Sequence, residues 1–367
     1  MTIPSSTYRL QVNRSFTLED ATHLIDYLSE LGVGAVYLSP ILQSTIGSDH
    51  GYDTTDVTRV DQDRGGSEAL ARLITSARSA GLGVVIDIVP NHLGIERPIE
   101  NPAWWDVLRL GPESRYASWF DIELGHDQPV IMPILGRRID EVLDAGELTG
   151  DATGGPGGEP VLRYYDHVLP VRPGTEYLPI EDLLAAQHYR VAYWRVASEQ
   201  LNYRRFFDID TLVAIRVEER EVFDATHAVL SRLVAEGIVD GVRVDHPDGL
   251  ADPRGYLRRL AQATDGAWVV VEKILAYDES LPTDWPCAGT TGYESLQRVG
   301  GLFVDPAGGG VLPSAFGGFT GDERSWYEVA EESRRHVLDE VLVAEVDRLA
   351  AVAHEICQDH LRLRDYS

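Results

Sequence analysis

Cysteine is nearly missing from this sequence. Cys287 and Cys357 are the only two in 367 residues. No disulfide framework is therefore available, and a reducing compartment, the cytoplasm, is expected. Positive charge is also scarce: lysine plus arginine total 32 against 59 acidic residues, a net charge of −27. Such an excess of anions disfavours nucleic acid and anionic membranes as partners. Nothing approaches the roughly 18 apolar residues of a membrane span, and the polar start of the chain, residues 1–7, is followed by no signal-like apolar stretch. Neither a metal nor a cofactor is expected. No internal repeat is apparent beyond an alternation of strand-like and helix-like segments.

The chemistry that is present concentrates in Gly241-Val-Arg-Val-Asp-His-Pro-Asp-Gly-Leu250. A short apolar strand, residues 238–244, runs into a polar cluster. Arg243 and Asp245 are two apart, so on a strand they point to the same side. A guanidinium beside a carboxylate keeps it ionised and limits its rotamers, which is what a nucleophilic carboxylate needs. Further on, Ala267-Trp-Val-Val-Val-Glu-Lys-Ile-Leu275 reads as a buried strand ending abruptly in Glu272-Lys273. Between the two, residues 253–264 have helical spacing. Strand, helix, strand implies a parallel pair with both carboxylates at its C-terminal edge, where (β/α) barrels carry their active sites. Two carboxylates facing each other across a cleft suggest glycosidic bond chemistry.

From the start of the chain, the reading predicts a strand at residues 7–11 and a helix over residues 16–31. Thr17 is its N-cap, Asp20 lies three residues on, and Leu24, Ile25, Leu28 and Leu31 form the buried face. A strand at 33–40 is followed by the polar loop Ser48-Asp-His-Gly-Tyr-Asp-Thr-Thr-Asp56. A helix over 67–80 and a strand at 84–89 come next, the latter leading into Pro90-Asn91-His92. The rhythm then fails until about residue 203, in a stretch rich in aromatics, proline and glycine. It resumes with a helix over 221–236. The fold class expected is α/β, a TIM (β/α)8-type barrel with a long irregular insertion after strand 3. The barrel occupies residues 1–92 and 204–324, the inserted subdomain 93–203, and a helical segment 325–367. Six strands are countable, the sixth near Cys287–Glu294, so the barrel is expected to be truncated after strand 6.

Asp87-Ile-Val-Pro-Asn-His92, Gly241-Val-Arg-Val-Asp245 and Val271-Glu272 resemble, in order, three sequence regions of the α-amylase superfamily. Asp245-His-Pro-Asp-Gly-Leu250, Val271-Glu-Lys-Ile-Leu275, Gly289-Thr-Thr-Gly-Tyr293 and Asn202-Tyr-Arg-Arg-Phe-Phe207 resemble more narrowly its maltooligosyltrehalose synthase family, whose members are about twice as long. The resemblance implies Asp245 as nucleophile and Glu272 as general acid/base, with Arg243 holding the nucleophile. It implies that His92, Asn91, Tyr52 and Asp53 line the subsite just before the cleavage point, with Asp87 as structural support. His50, His246 and Lys273 are implied substrate contacts, the last two near the reducing-end sugar. The family's third carboxylate, an Asp after strand 7, has no match; Asp305 and Asp322 lack its context. The implied substrate is a maltooligosaccharide, whose reducing-end α-1,4 linkage becomes α,α-1,1 by intramolecular transglycosylation. Two other readings stay open: an α-glucan hydrolase or intermolecular transferase, and a non-catalytic glucan-binding fragment.

Overall fold

The computed structural model describes residues 3–124 and 128–365. The outermost residues of the expected barrel and terminal helical segment, 1–2 and 366–367, and residues 125–127 of the expected insert lie outside it. Two compact units are present: residues 3–194 with 202–291, and residues 195–201 with 292–365.

The first unit is built on six strands: β1 (Thr7–Leu10), β2 (Ala35–Leu38), β3 (Gly83–Ile88), β4 (Gly241–Val244), β5 (Trp268–Val271) and β6 (Gly289–Thr290). They lie side by side in chain order, and every neighbouring pair is parallel. Sequential parallel strands are the mark of successive βα units of a TIM-type barrel. The central strands β3 and β4 are covered on both faces, whereas β1 leaves Thr7, Tyr8 and Arg9 exposed. From Val84 to Ile88 in β3, and from end to end in β4, every residue is buried.

Helices α1 (Leu18–Thr22), α2 (Ile25–Glu30), α3 (Gly66–Ser79), α4 (Arg220–Thr226), α5 (Ala228–Ala235) and α6 (Pro253–Ala263) belong to this unit. The Thr17–Asp20 capping box forms as the sequence predicts. The single helix expected over 16–31 is two pieces, however. The Thr22 hydroxyl donates to the Leu18 carbonyl inside the first one, a local bond that competes with helix continuation. Ile25 and Leu28 are buried, while Leu31 is exposed. The helix expected over 221–236 also breaks, at His227. That residue is buried, stacks on Phe223 at 4.2 Å and hydrogen-bonds the Tyr256 hydroxyl of α6 at 2.9 Å. A tertiary partner 29 positions away overrides the local periodicity.

Between β3 and β4 the chain forms three small sheets. His92–Gly94 pairs with Ile209–Ala214, which pairs with Arg205–Phe206; Val130–Leu135 pairs with Tyr189–Tyr193; and Leu148–Asp151, Val161–Tyr164 and His167–Pro170 form a meander. Trp104, Phe120 and Tyr203 pack edge to face as a local core.

The second unit is helical, with Tyr293–Gly301, Gly308–Thr320, Trp326–His336 and Val343–Asp359 as its longer elements. The first two occupy a stretch that the sequence reading left without helices. Many apolar side chains face outward here, among them Phe303 and Phe319. No helix among the described residues is long and apolar enough to cross a membrane.

Candidate active site

The site grows out of strand register. Arg243 of β4 stands opposite Asp87 of β3, so their side chains leave the sheet on one side. Past the strand ends, the Asp245 amide donates to the Ile88 carbonyl and the Glu272 amide to the Val244 carbonyl. Those two bonds seat Asp245 and Glu272 at the C-terminal edges of adjacent parallel strands, where barrel sites lie.

One guanidinium organises three acids. Arg243 Nη1 donates to Asp87 Oδ1 at 2.7 Å and to Asp245 Oδ1 at 2.6 Å, while Nη2 lies 3.0 Å from Glu272 Oε1. All of this happens in a nearly dry place: Arg243, Asp245 and Asp87 are 7%, 6% and 2% exposed. Asp87 also accepts from the Tyr37 and Tyr52 hydroxyls, each at 2.7 Å. Arg9 in turn donates to the Tyr52 oxygen at 3.2 Å. Both oxygens of this buried carboxylate thus accept from donors, one on Oδ1 and two on Oδ2, as a buried anion requires.

The electrostatics depart from the sequence expectation in one respect. Arg243 was expected to hold Asp245 ionised, but it is divided among three acids. Burial pushes Asp245 up to about 7, with Asp87 and Glu272 adding to the rise and Arg243 opposing it. Burial likewise raises Asp87, against Arg243 and the two phenols. Burial also lifts the Tyr52 phenol to about 12, helped by the Asp87 charge.

The remaining predicted residues gather around this core with different partners. His92 is buried, pushed down to about 4 by that burial, and directs Nε2 at the Tyr52 carbonyl at 3.0 Å. Its Nδ1 is buried without a partner. Asn91 accepts from Arg204 at 3.0 Å, and the same Arg204 nitrogen donates to the Gly249 carbonyl. His50 Nδ1 accepts from the Tyr52 amide, and Asp53 accepts from the Ser48 hydroxyl. Lys273 holds Asp248 and Glu279. His246 adopts a left-handed backbone, φ 41°, and its amide donates to Glu272 Oε2 at 3.3 Å. A β-carbon on Gly94 would stand 2.7 Å from the Asp53 carbonyl oxygen. Only glycine lets that strand lie against the loop carrying Tyr52 and Asp53.

Sequence reading missed four residues at the site. Phe206 lies 4.3 Å from the His92 ring, and Phe206 and Phe207 both sit against His246. Tyr37 and Arg204 bind Asp87 and Asn91 directly. The run Arg204-Arg-Phe-Phe207 was visible as a motif, but nothing local to it pointed at a histidine more than a hundred positions away.

A centre of this make-up, on a parallel βα sheet, is accompanied by a family match. The chain belongs to the alpha-amylase family, matching its catalytic domain over residues 14–256. It is 45% identical over 352 residues to a putative maltooligosyl trehalose synthase of Mycobacterium tuberculosis strain H37Rv, across 94% of this chain and 44% of that protein. The structure of maltooligosyltrehalose synthase from Arthrobacter ramosus superposes with a TM-score of 0.91 at 45% identity, over 97% of this chain and 46% of that one. A hypothetical maltooligosyl trehalose synthase of Sulfolobus tokodaii superposes with a TM-score of 0.84 at 34% identity, over 96% of this chain and 46% of that one. The chain thus spans about half the length of the relatives it matches.

Proposed function

We propose that this site serves an intramolecular transglycosylation, turning the reducing-end α-1,4 linkage of a maltooligosaccharide into an α,α-1,1 linkage. The observation that carries the reading is the placement of Asp245 and Glu272 on neighbouring strand ends under one arginine, in a chain similar to maltooligosyltrehalose synthases. A shared guanidinium brings the carboxyls close together, which suits a retaining pair, expected about 5–5.5 Å apart.

In this mechanism ionised Asp245 bonds to the anomeric carbon of the penultimate glucose. The bond to the terminal glucose breaks, and Glu272 gives its proton to the departing oxygen. The freed glucose turns and presents its anomeric hydroxyl. Glu272, now a carboxylate, takes that proton as the new oxygen attacks and the Asp245 ester bond breaks. Water competes for the ester, so the reducing-end side has to exclude it. Phe206, Phe207 and His246 form an aromatic cluster next to Glu272 that fits this task. Residues 93–203 serve, in this reading, as an inserted subdomain beside the cleft, and the protein works in the cytoplasm without metal or cofactor.

Incubation with maltopentaose tests the proposal. Isomerisation lowers reducing power, hydrolysis raises it, and a binding fragment leaves it constant. Asp245→Asn is the control, with loss of several orders of magnitude in rate expected for a nucleophile. A variant within about tenfold of the parent would sink the assignment of Asp245.

A further inference from the structure

Lys273 is the only lysine in the chain; the other 31 of its 32 cationic side chains are arginines. Every Lys/Arg–carboxylate pair elsewhere therefore uses a guanidinium. Arg254, which holds Asp284 of the segment 274–288 at 2.9 Å on open surface, is an example close by. A position that merely needed a cation would be served by arginine in this chain as it is everywhere else.

What Lys273 does is different in geometry. Its single nitrogen lies 3.2 Å from Asp248 Oδ2 and 2.8 Å from Glu279 Oε1, and the side chain is 12% exposed. Asp248 sits in the turn just after Asp245, and Lys273 follows Glu272 directly. Glu279 uses its second oxygen to accept from the Ala276 amide at 3.0 Å, so it folds the start of the next loop back on itself. One atom therefore gathers the loop after β4, the end of β5 and the segment beyond it. An ammonium is a point charge with three rotatable donors, able to meet two acids arriving from different segments. A guanidinium can also bridge several acids, as Arg243 does, but it spreads its donors over three nitrogens of a flat fork instead of gathering them on one atom.

We propose that Lys273 is a positioning residue, a one-atom staple that fixes the loop after β4 to the loop after β5 and so sets the spacing of Asp245 and Glu272. The His246 amide bond to Glu272 is the second link between the same two loops. The staple rests on the proposed function only for what the carboxylate pair accomplishes, and it stands or falls on geometry. Asp248 and Glu279 are both substantially exposed, so their variants are expected to fold.

The test uses the whole chain and three readouts. Selective nitrogen-15 lysine labelling gives one side-chain ammonium resonance. It is expected to be protected from solvent exchange at neutral pH, and lost in the D248N/E279Q double variant. Lys273→Arg then keeps the charge but replaces the single donor atom by a wider fork, which cannot hold Asp248 and Glu279 at the same spacing. Carbon-13 carboxyl NMR of Asp245, assigned by its absence in Asp245→Asn, should titrate at lower pH in Lys273→Arg, because Glu272 is one of the groups holding Asp245 up, together with Asp87 and against Arg243. A merely structural lysine would leave that midpoint in place. An unchanged Asp245 midpoint in Lys273→Arg, or an ammonium signal indifferent to the double variant, overturns the proposal. Maltotriose binding by calorimetry is the third readout. Its absence from the parent chain would refute the glucan reading of the site, while the lysine and carboxyl signals still decide the staple.

Discussion

Asp245→Asn should make the protein more stable at pH 8 and leave it nearly unchanged at pH 4. Asparagine keeps the oxygen that accepts from Arg243 but carries no charge. In the parent, burial beside Asp87 and Glu272 raises Asp245 from 3.8 to about 7. The folded state therefore binds this proton more tightly than the unfolded state does. The stability it contributes is complete below pH about 4 and is lost as the pH climbs through about 7. A displacement of that size corresponds to on the order of 4 kcal/mol. In a unit of this size that is on the order of 10 °C in melting temperature. Calorimetric unfolding of both proteins at pH 4, 6 and 8 measures it, and the gap should open with rising pH. A gap independent of pH, or a variant less stable at pH 8, would show that Arg243 satisfies Asp245 after all. The trade is the one expected where strain is stored for function.

Arg243→Met should cost about 3–5 kcal/mol in urea unfolding, since it strands buried Asp87 and Asp245 without a counter-ion; a loss below about 1 kcal/mol would contradict the network. Initial rates on maltopentaose should fall with acid through about pH 7, because the nucleophile must be anionic and Asp245 titrates there; an acid limb near pH 4 would exclude it. Phe206→Ala should uncover His92, whose ring titration by proton NMR then moves up from about 4 toward its ordinary range, and an unmoved ring would mean that Phe206 does not keep it dry.

Much of this architecture could be read from the chain because parallel strands buried on both faces write themselves as short, mostly apolar runs. Val84–Ile88 is interrupted only by Asp87 and Val242–Val244 only by Arg243, while Val269–Val271 runs straight into Glu272, so both the βα order and the location of Asp245 and Glu272 were visible. The Thr17 cap was legible because its partner is three residues away. Long-range pairings were not. Asp87 and Arg243 are 156 positions apart, so local spacing showed Arg243 beside Asp245 only, and its division among three acids stayed hidden. His227 reads as one more residue in a helical stretch until Tyr256 is placed against it. The helix at residues 308–320 was missed because its glycines and the internal Pro313 are a poor helix signal, and the nine-residue helix at 293–301 was missed as well.

Gly94 has a dynamic consequence. With the Asp53 peptide pressed where a side chain would begin, and with His92 bonded to the Tyr52 carbonyl, the loop of residues 48–53 cannot swing out by itself. It is coupled to the strand His92–Gly94, which is laddered to Ile209–Ala214 through Leu93 and Val213. Admission of a ligand past His92 then requires loop and ladder to breathe as one cooperative unit. The Thr45 amide, bonded to the Asp53 carbonyl, and the Ile95 amide, bonded to the Thr211 carbonyl, should exchange their hydrogens at a common rate, although half a hundred residues separate them in the chain.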